Sequence, residues 1–87
     1  MHVLFSKTFI KAYKKLDQKI KNAFQKKLVT FIENEFDATL RNHALQGKCE
    51  GVRSITITGD FRAHYVVFLE DTRTFVAIGT HSELYEK

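Results

Sequence analysis

From Ser54 to Tyr65 polar and apolar residues alternate on both sides of Thr58-Gly59-Asp60, and this alternation constrains the fold more than any other feature of the chain. Ser54, Thr56 and Thr58 interleave with Ile55 and Ile57, and Arg62 and His64 interleave with Phe61, Ala63 and Tyr65. A period of two puts each set on its own side of a strand. Taken as a three-residue loop, Thr58-Gly59-Asp60 brings Thr56 opposite Arg62 and Ser54 opposite His64, so both strands turn one polar and one apolar side in register. A two-residue loop sets Ile57 beside Arg62 instead. The expectation is a sheet with helices on one face and a polar, partly basic surface on the other.

The remaining elements supply that cover. His2 to Phe5 reads as a short opening strand, and Ser6 as the N-cap of a helix with Phe9, Ala12, Tyr13 and Leu16 on one stripe. Asp17 then caps a second helix with Ile20, Ala23, Phe24, Leu28, Phe31 and Ile32 on its apolar face. Strands are expected at about 52 to 58, 61 to 69 and 73 to 79, with Arg41 to Lys48 as a loop. The expected class is α+β: an N-terminal strand and a basic two-helix hairpin packed on one face of a mainly antiparallel four-stranded sheet, with residues 1–87 as a single domain.

With 87 residues, such a chain buries only about 60% of its unfolded surface, so a large private cavity is not expected. No long apolar span or signal-peptide pattern is present, and a soluble, cytoplasmic protein is expected. Cys49 is the only cysteine, which excludes an internal disulfide and a cysteine-based zinc site within one chain. Charge is uneven. Residues 1 to 28 carry eight Lys against Asp17 alone, whereas residues 51 to 87 carry four basic and five acidic residues. Such a block forms solvated helix faces or docks on phosphate; nucleic acid or an acidic protein is favoured over a membrane because the lysines spread around the helices.

His43, Lys48, Arg62, His64, His81 and Tyr85 are expected to gather on the polar side. The histidines at 2, 43, 64 and 81 lack a metal-binding spacing, and Gly47 and Gly51 form neither a P-loop nor a dinucleotide fingerprint. No metal and no cofactor is expected. Metal-free RNA cleavage fits these side chains, because the substrate's 2′-hydroxyl serves as nucleophile once a base takes its proton and an acid protonates the leaving 5′ oxygen. Each residue has a plainer use. Thr80-x-x-Glu83 is a capping box that makes the terminal segment a short helical turn, Arg62 could pair with Asp60 or Glu70, His64 could be a cross-strand partner, and Arg53, on the parity of Ile55, supports the fold or its edge. Asp60 is first a turn residue.

The segments HALQGKCEGVRS, ITGDFRAHY and IGTHSELY, in that order after a basic helical hairpin, resemble the RelE/ParE toxin superfamily of type II toxin–antitoxin modules, and most closely its YafQ-type mRNA interferases. The resemblance implies a ribosome-dependent endoribonuclease that cuts mRNA in the ribosomal A site and is restrained by a cognate antitoxin. It implies catalytic roles for His43, Asp60, His81 and Tyr85, and a phosphate-stabilising role for Arg62. Lys48, His64, Lys7, Lys11, Lys14 and Lys15 are the expected RNA contacts. The chain departs from the YafQ pattern at Thr56, where that group usually has histidine, at Ala77, where it has arginine, and at Phe61, where it has tryptophan; Arg62 and His64 are the available substitutes. A binding-only protein, either a ParE-like inhibitor of DNA gyrase or a weakened toxin that still binds its antitoxin, is the alternative.

Overall fold

In the computed structural model, which describes residues 1–47 and 50–85, the chain runs β1 (His2–Phe5), α1 (Lys7–Lys14), α2 (Gln18–Glu33), a single 3-10 turn (Ala38–Leu40), β2 (His43–Ala44), β3 (Val52–Thr58), β4 (Phe61–Leu69), β5 (Thr72–Thr80) and α3 (His81–Tyr85). One sheet has the order β1-β5-β4-β3-β2. β1 lies parallel to β5, and every other pairing is antiparallel. The sheet therefore has five strands and not the expected four. The added one, β2, is two residues long, too short to leave a periodicity, and it lies within the segment that reads as a loop.

The hairpin register is the expected one, with Ser54 opposite His64 and Thr56 opposite Arg62. Its turn is tighter than a three-residue loop, because Thr58 itself pairs with Phe61 and the ladder shifts between Thr56 and Thr58. Gly59 and Asp60 make the turn, Gly59 at a φ of 50°, and Ile57 is the extra residue of a bulge. A two-residue turn plus one bulged residue has the same parity as a three-residue loop. A second shift, between His64 and Tyr65, pairs His64 with Ala77 but Tyr65 with Phe75, leaving Val76 as the extra residue. That bulge lets Phe75 and Ile78, an odd number of residues apart, both enter the core.

Ser6 caps α1 by accepting the Phe9 N–H at 3.1 Å. Asp17 precedes α2 as expected, but its carboxylate makes no capping bond; its backbone carbonyl takes the Ile20 and Lys21 N–H groups. Phe9, Phe24 and Phe31 leave the helices to meet Ile55, Ile57, Ala63, Tyr65, Phe75 and Ile78 from the sheet. Phe75 is the hub: the rings of Phe5, Phe9, Phe24, Phe31 and Tyr65 stand with centroids 5.3 to 5.9 Å from its own. Ile32, expected on the buried stripe, is 48% exposed, because at 3.6 residues per turn it lies about 80° around the helix from Phe24. No described helix is long and apolar enough to cross a membrane.

Candidate active site

The sheet face opposite α1 and α2 carries the polar parity of β3 and β4. Pairing across four strands places His43, Ser54, His64 and Ala77 in one transverse row, and Thr56, Arg62 and Gly79 in the next. Directly opposed residues on a sheet approach to about 4.5–5.5 Å between Cβ atoms. α3 folds back over these rows. The Tyr85 hydroxyl lies 3.1 Å from His64 Nε2, and the Tyr85 ring packs on His81, one helical turn earlier, with centroids 4.2 Å apart.

The capping box that the sequence predicts positions this lid. Thr80 N–H donates to Glu83 Oε1 at 2.8 Å, and Glu83 N–H donates to Thr80 Oγ1 at 3.2 Å. The His81 N–H donates to the Asp60 carbonyl at 3.0 Å, tying the start of α3 to the β3–β4 turn. Asp60 thus reaches the site through its backbone. Arg62 pairs with neither Asp60 nor Glu70; its Nη1 donates to the carbonyls of Gly59 and Phe61.

His64 is only 5% exposed. Expected among the RNA-contacting residues, it lies instead beneath the site, in contact with Tyr85. Burial depresses its pKa below the usual histidine range, and the neighbouring His43 and His81 lower it further. His43 and His81 are exposed at the surface of the same cluster. The Arg41 carbonyl is 3.0 Å from His43 Nδ1; a carbonyl only accepts, so this contact is a hydrogen bond in the Nδ1–H form of the ring, the form in which Nε2 is the basic nitrogen. Between His43 and His64, the Ser54 hydroxyl is fully buried without a hydrogen-bond partner.

Of the lysines, Lys7, Lys11, Lys14 and Lys15 are all exposed on or next to α1, across the sheet from the histidines. Lys11 and Lys15 line a cleft of about 480 Å³ together with Gly79 and Glu83, so these two reach the end of the sheet where α3 sits. Lys48, like Cys49, lies outside the described residues. Among the described residues, no three His, Cys, Asp or Glu are grouped to hold a metal ion.

A family model for the ParE toxin of type II toxin–antitoxin systems, parDE, matches residues 3–85. The chain belongs to the ParE toxin family. Within the broader RelE/ParE superfamily, the fold of this toxin is that of YafQ: the crystal structure of YafQ from E. coli strain BL21(DE3) is 22% identical, with 95% of this chain and 96% of that chain covered and a TM-score of 0.80. The toxin of the E. coli DinJ–YafQ complex is 25% identical over 95% of this chain and 94% of that one, with a TM-score of 0.73. A metal-bound toxin from Helicobacter pylori is 26% identical over 98% and 99%, with a TM-score of 0.72. No curated protein matches by sequence.

A second constellation in this ParE-family toxin, on the helix side of β2, escapes sequence reasoning. Glu35 Oε2 accepts the Tyr65 hydroxyl at 2.6 Å and Arg73 Nε at 3.0 Å, while Oε1 accepts Arg73 Nη2 at 3.1 Å. Burial raises the Glu35 pKa, but the bonds from Arg73 and Tyr65 outweigh it, and the carboxyl is held below its usual range. Tyr65 is pushed up to about 12, first by burial and then by its bond to Glu35. Asn42 joins this group to β3: its Nδ2 donates to the Tyr65 hydroxyl at 2.7 Å and to the Glu35 carbonyl at 3.0 Å, and its Oδ1 accepts Arg53 Nε at 2.8 Å. The parity of Arg53 with Ile55 was the one sequence signal pointing here.

Proposed function

We propose that this toxin is a ribosome-dependent endoribonuclease that cleaves mRNA without a metal or cofactor. The supporting observation is the collection of three histidines, His43, His64 and His81, with Tyr85 on one sheet face, from strands and a helix far apart in sequence. In the proposed reaction His43 Nε2 takes the proton of the substrate 2′-hydroxyl, the 2′ oxygen forms a bond to phosphorus, and the bond from phosphorus to the 5′ oxygen breaks. His81 returns a proton to that leaving oxygen, so a 2′,3′-cyclic phosphate and a 5′-hydroxyl result. Arg62 and Lys48 stabilise the crowded phosphate. Asp60 orients the start of α3, and Tyr85 positions substrate over the buried His64.

Two of the three departures from the YafQ pattern lie beside Arg62 and His64, in crosswise order. Thr56, in place of a histidine, is the cross-strand partner of Arg62, and Ala77, in place of an arginine, is the cross-strand partner of His64. The imidazole of His64 and the cation of Arg62 are each a diagonal cross-strand neighbour of the position that lacks that group, about 7–8 Å away on the same face. The exposed lysines of α1 supply affinity for ribosomal RNA that weakens with salt. A cognate antitoxin completes the reading, since YafQ is known in complex with DinJ. The apolar cleft between α1 and α2, lined by Phe5, Ile10, Tyr13 and Phe24 and edged by Lys14 and Lys21, suits an acidic amphipathic segment of such a partner.

The test is a translation extract in which mRNA cleavage is mapped for the wild type, His43→Ala and His81→Ala. Codon-associated cuts are expected with the wild type and a loss of about 10²–10⁴-fold in either variant. An absence of cuts with the wild type sinks the nuclease reading, and undiminished cuts in both variants sink the assignment of these two residues. The family match itself favours one further reading, ParE-like inhibition of DNA gyrase. A supercoiling assay in which the toxin blocks gyrase, alongside a silent cleavage assay, selects it.

A further inference from the structure

The chain enters β2 through a residue under backbone strain. Arg41 has a φ of 50° and a ψ of 43°, a left-handed conformation that costs a residue with a side chain on the order of 1 kcal/mol. This turn aims the Arg41 carbonyl at His43 Nδ1. Something must hold the turn in place, and the residue between the two is Asn42. Successive residues of a strand point to opposite faces, and Asn42 points to the helix side while His43 joins the histidine row. Its amide orientation is fixed by chemistry: the Glu35 carbonyl only accepts and Arg53 Nε only donates. With the Tyr65 hydroxyl, Asn42 has three partners, two of them, Tyr65 and Arg53, on separate strands. Tyr65 is fully buried, and its own donor goes to the Glu35 carboxylate that Arg73 clamps.

We propose that Asn42 is a positioning residue which, through Tyr65, Glu35 and Arg53, holds the Arg41 carbonyl against His43 and so fixes His43 as the Nδ1–H tautomer with Nε2 turned outward as the base. The pattern is one in which the hydrogen bond to one ring nitrogen decides the role of the other. The proposal rests on the reading of His43 as a proton acceptor, but its core, the tautomer, is measurable without catalysis.

The experiment is nitrogen-15 NMR of the His43 ring at about pH 8, where an ordinary imidazole is neutral, on the wild type, Asn42→Ala and Tyr65→Phe. The expected result is Nδ1–H in the wild type, conversion mainly to Nε2–H in Asn42→Ala, and a partial conversion in Tyr65→Phe, which keeps the buried ring and serves if Asn42→Ala does not fold. Mapped cleavage by the same variants should fall roughly ten- to hundredfold in turnover at unchanged half-saturation. An Nε2–H wild type, or an unchanged Nδ1–H tautomer in the folded variants, overturns the positioning role. Wild-type protein that shows the expected tautomers but no cleavage overturns the nuclease reading alone.

Discussion

His64 shows how one side chain ties the site to the stability of the fold. In the unfolded chain it titrates near the ordinary histidine value of 6.5, and in the folded chain it titrates lower, because burial and the neighbouring His43 and His81 oppose its charge. Between those two values the unfolded state binds more protons, so stability rises with pH there. The contribution is complete above pH 6.5 and is lost as pH falls toward the folded value. Urea midpoints taken from about pH 7.5 down to about pH 5 should therefore fall for the wild type and fall less for His64→Gln. An equal slope in both would show that His64 is not the group being forced to charge. At this scale the sequence was legible in kind but not in depth. Alternation placed His64 on the polar face, yet it could not show that α3 would cover that face and bury it. Asn42, Tyr65 and Glu35 were invisible for a related reason. Their bonds join the end of α2, a loop and a central strand, and no local spacing records such a meeting.

Among the elements, α3 sits close against the end of β5. An ideal Cβ on Gly79 would stand 3.2 Å from Glu83 Oε1 and 3.5 Å from Leu84 Cδ2. Glu83 Oε1 is the acceptor for the Thr80 N–H, so it cannot retreat without opening the capping box. Gly79→Ala should accordingly cost about 1 kcal/mol of local stability, and amide exchange of Glu83 to Tyr85 should quicken about fivefold while that of the central strand β4 stays constant. Exchange that quickens equally throughout would mean a global effect instead. The three long strands, β1 and the two helices were readable because each carries a regular period or a cap. The bulges at Ile57 and Val76 were not, since a bulge breaks the very period from which a strand is recognised. Strand β2 offered only two residues to read.

On the scale of the whole molecule, stability centres on the aromatic hub. Phe75→Ala removes the ring that five others share, and should cost about 3–5 kcal/mol, a large part of the roughly 5–15 kcal/mol that such a domain possesses. Phe75→Leu should cost distinctly less; comparable losses in chemical denaturation would show that ring geometry, and not buried volume, is decisive. That the chain has apolar side chains enough for a compact core was legible in its eight Phe, but the convergence of the buried rings on Phe75 depends on the Val76 bulge. The parallel pairing of β1 with β5 has a consequence in time. His2 pairs with Thr72, so on a growing chain the first strand waits for 70 further residues before its partner exists. At about 5–20 residues per second that wait is roughly 4–14 s. Through that interval Val3, Leu4 and Phe5 have no ladder to join and the hub residue Phe75 has not been made. A message broken before that point yields no folded toxin, and the fold becomes competent only once β5 has been made.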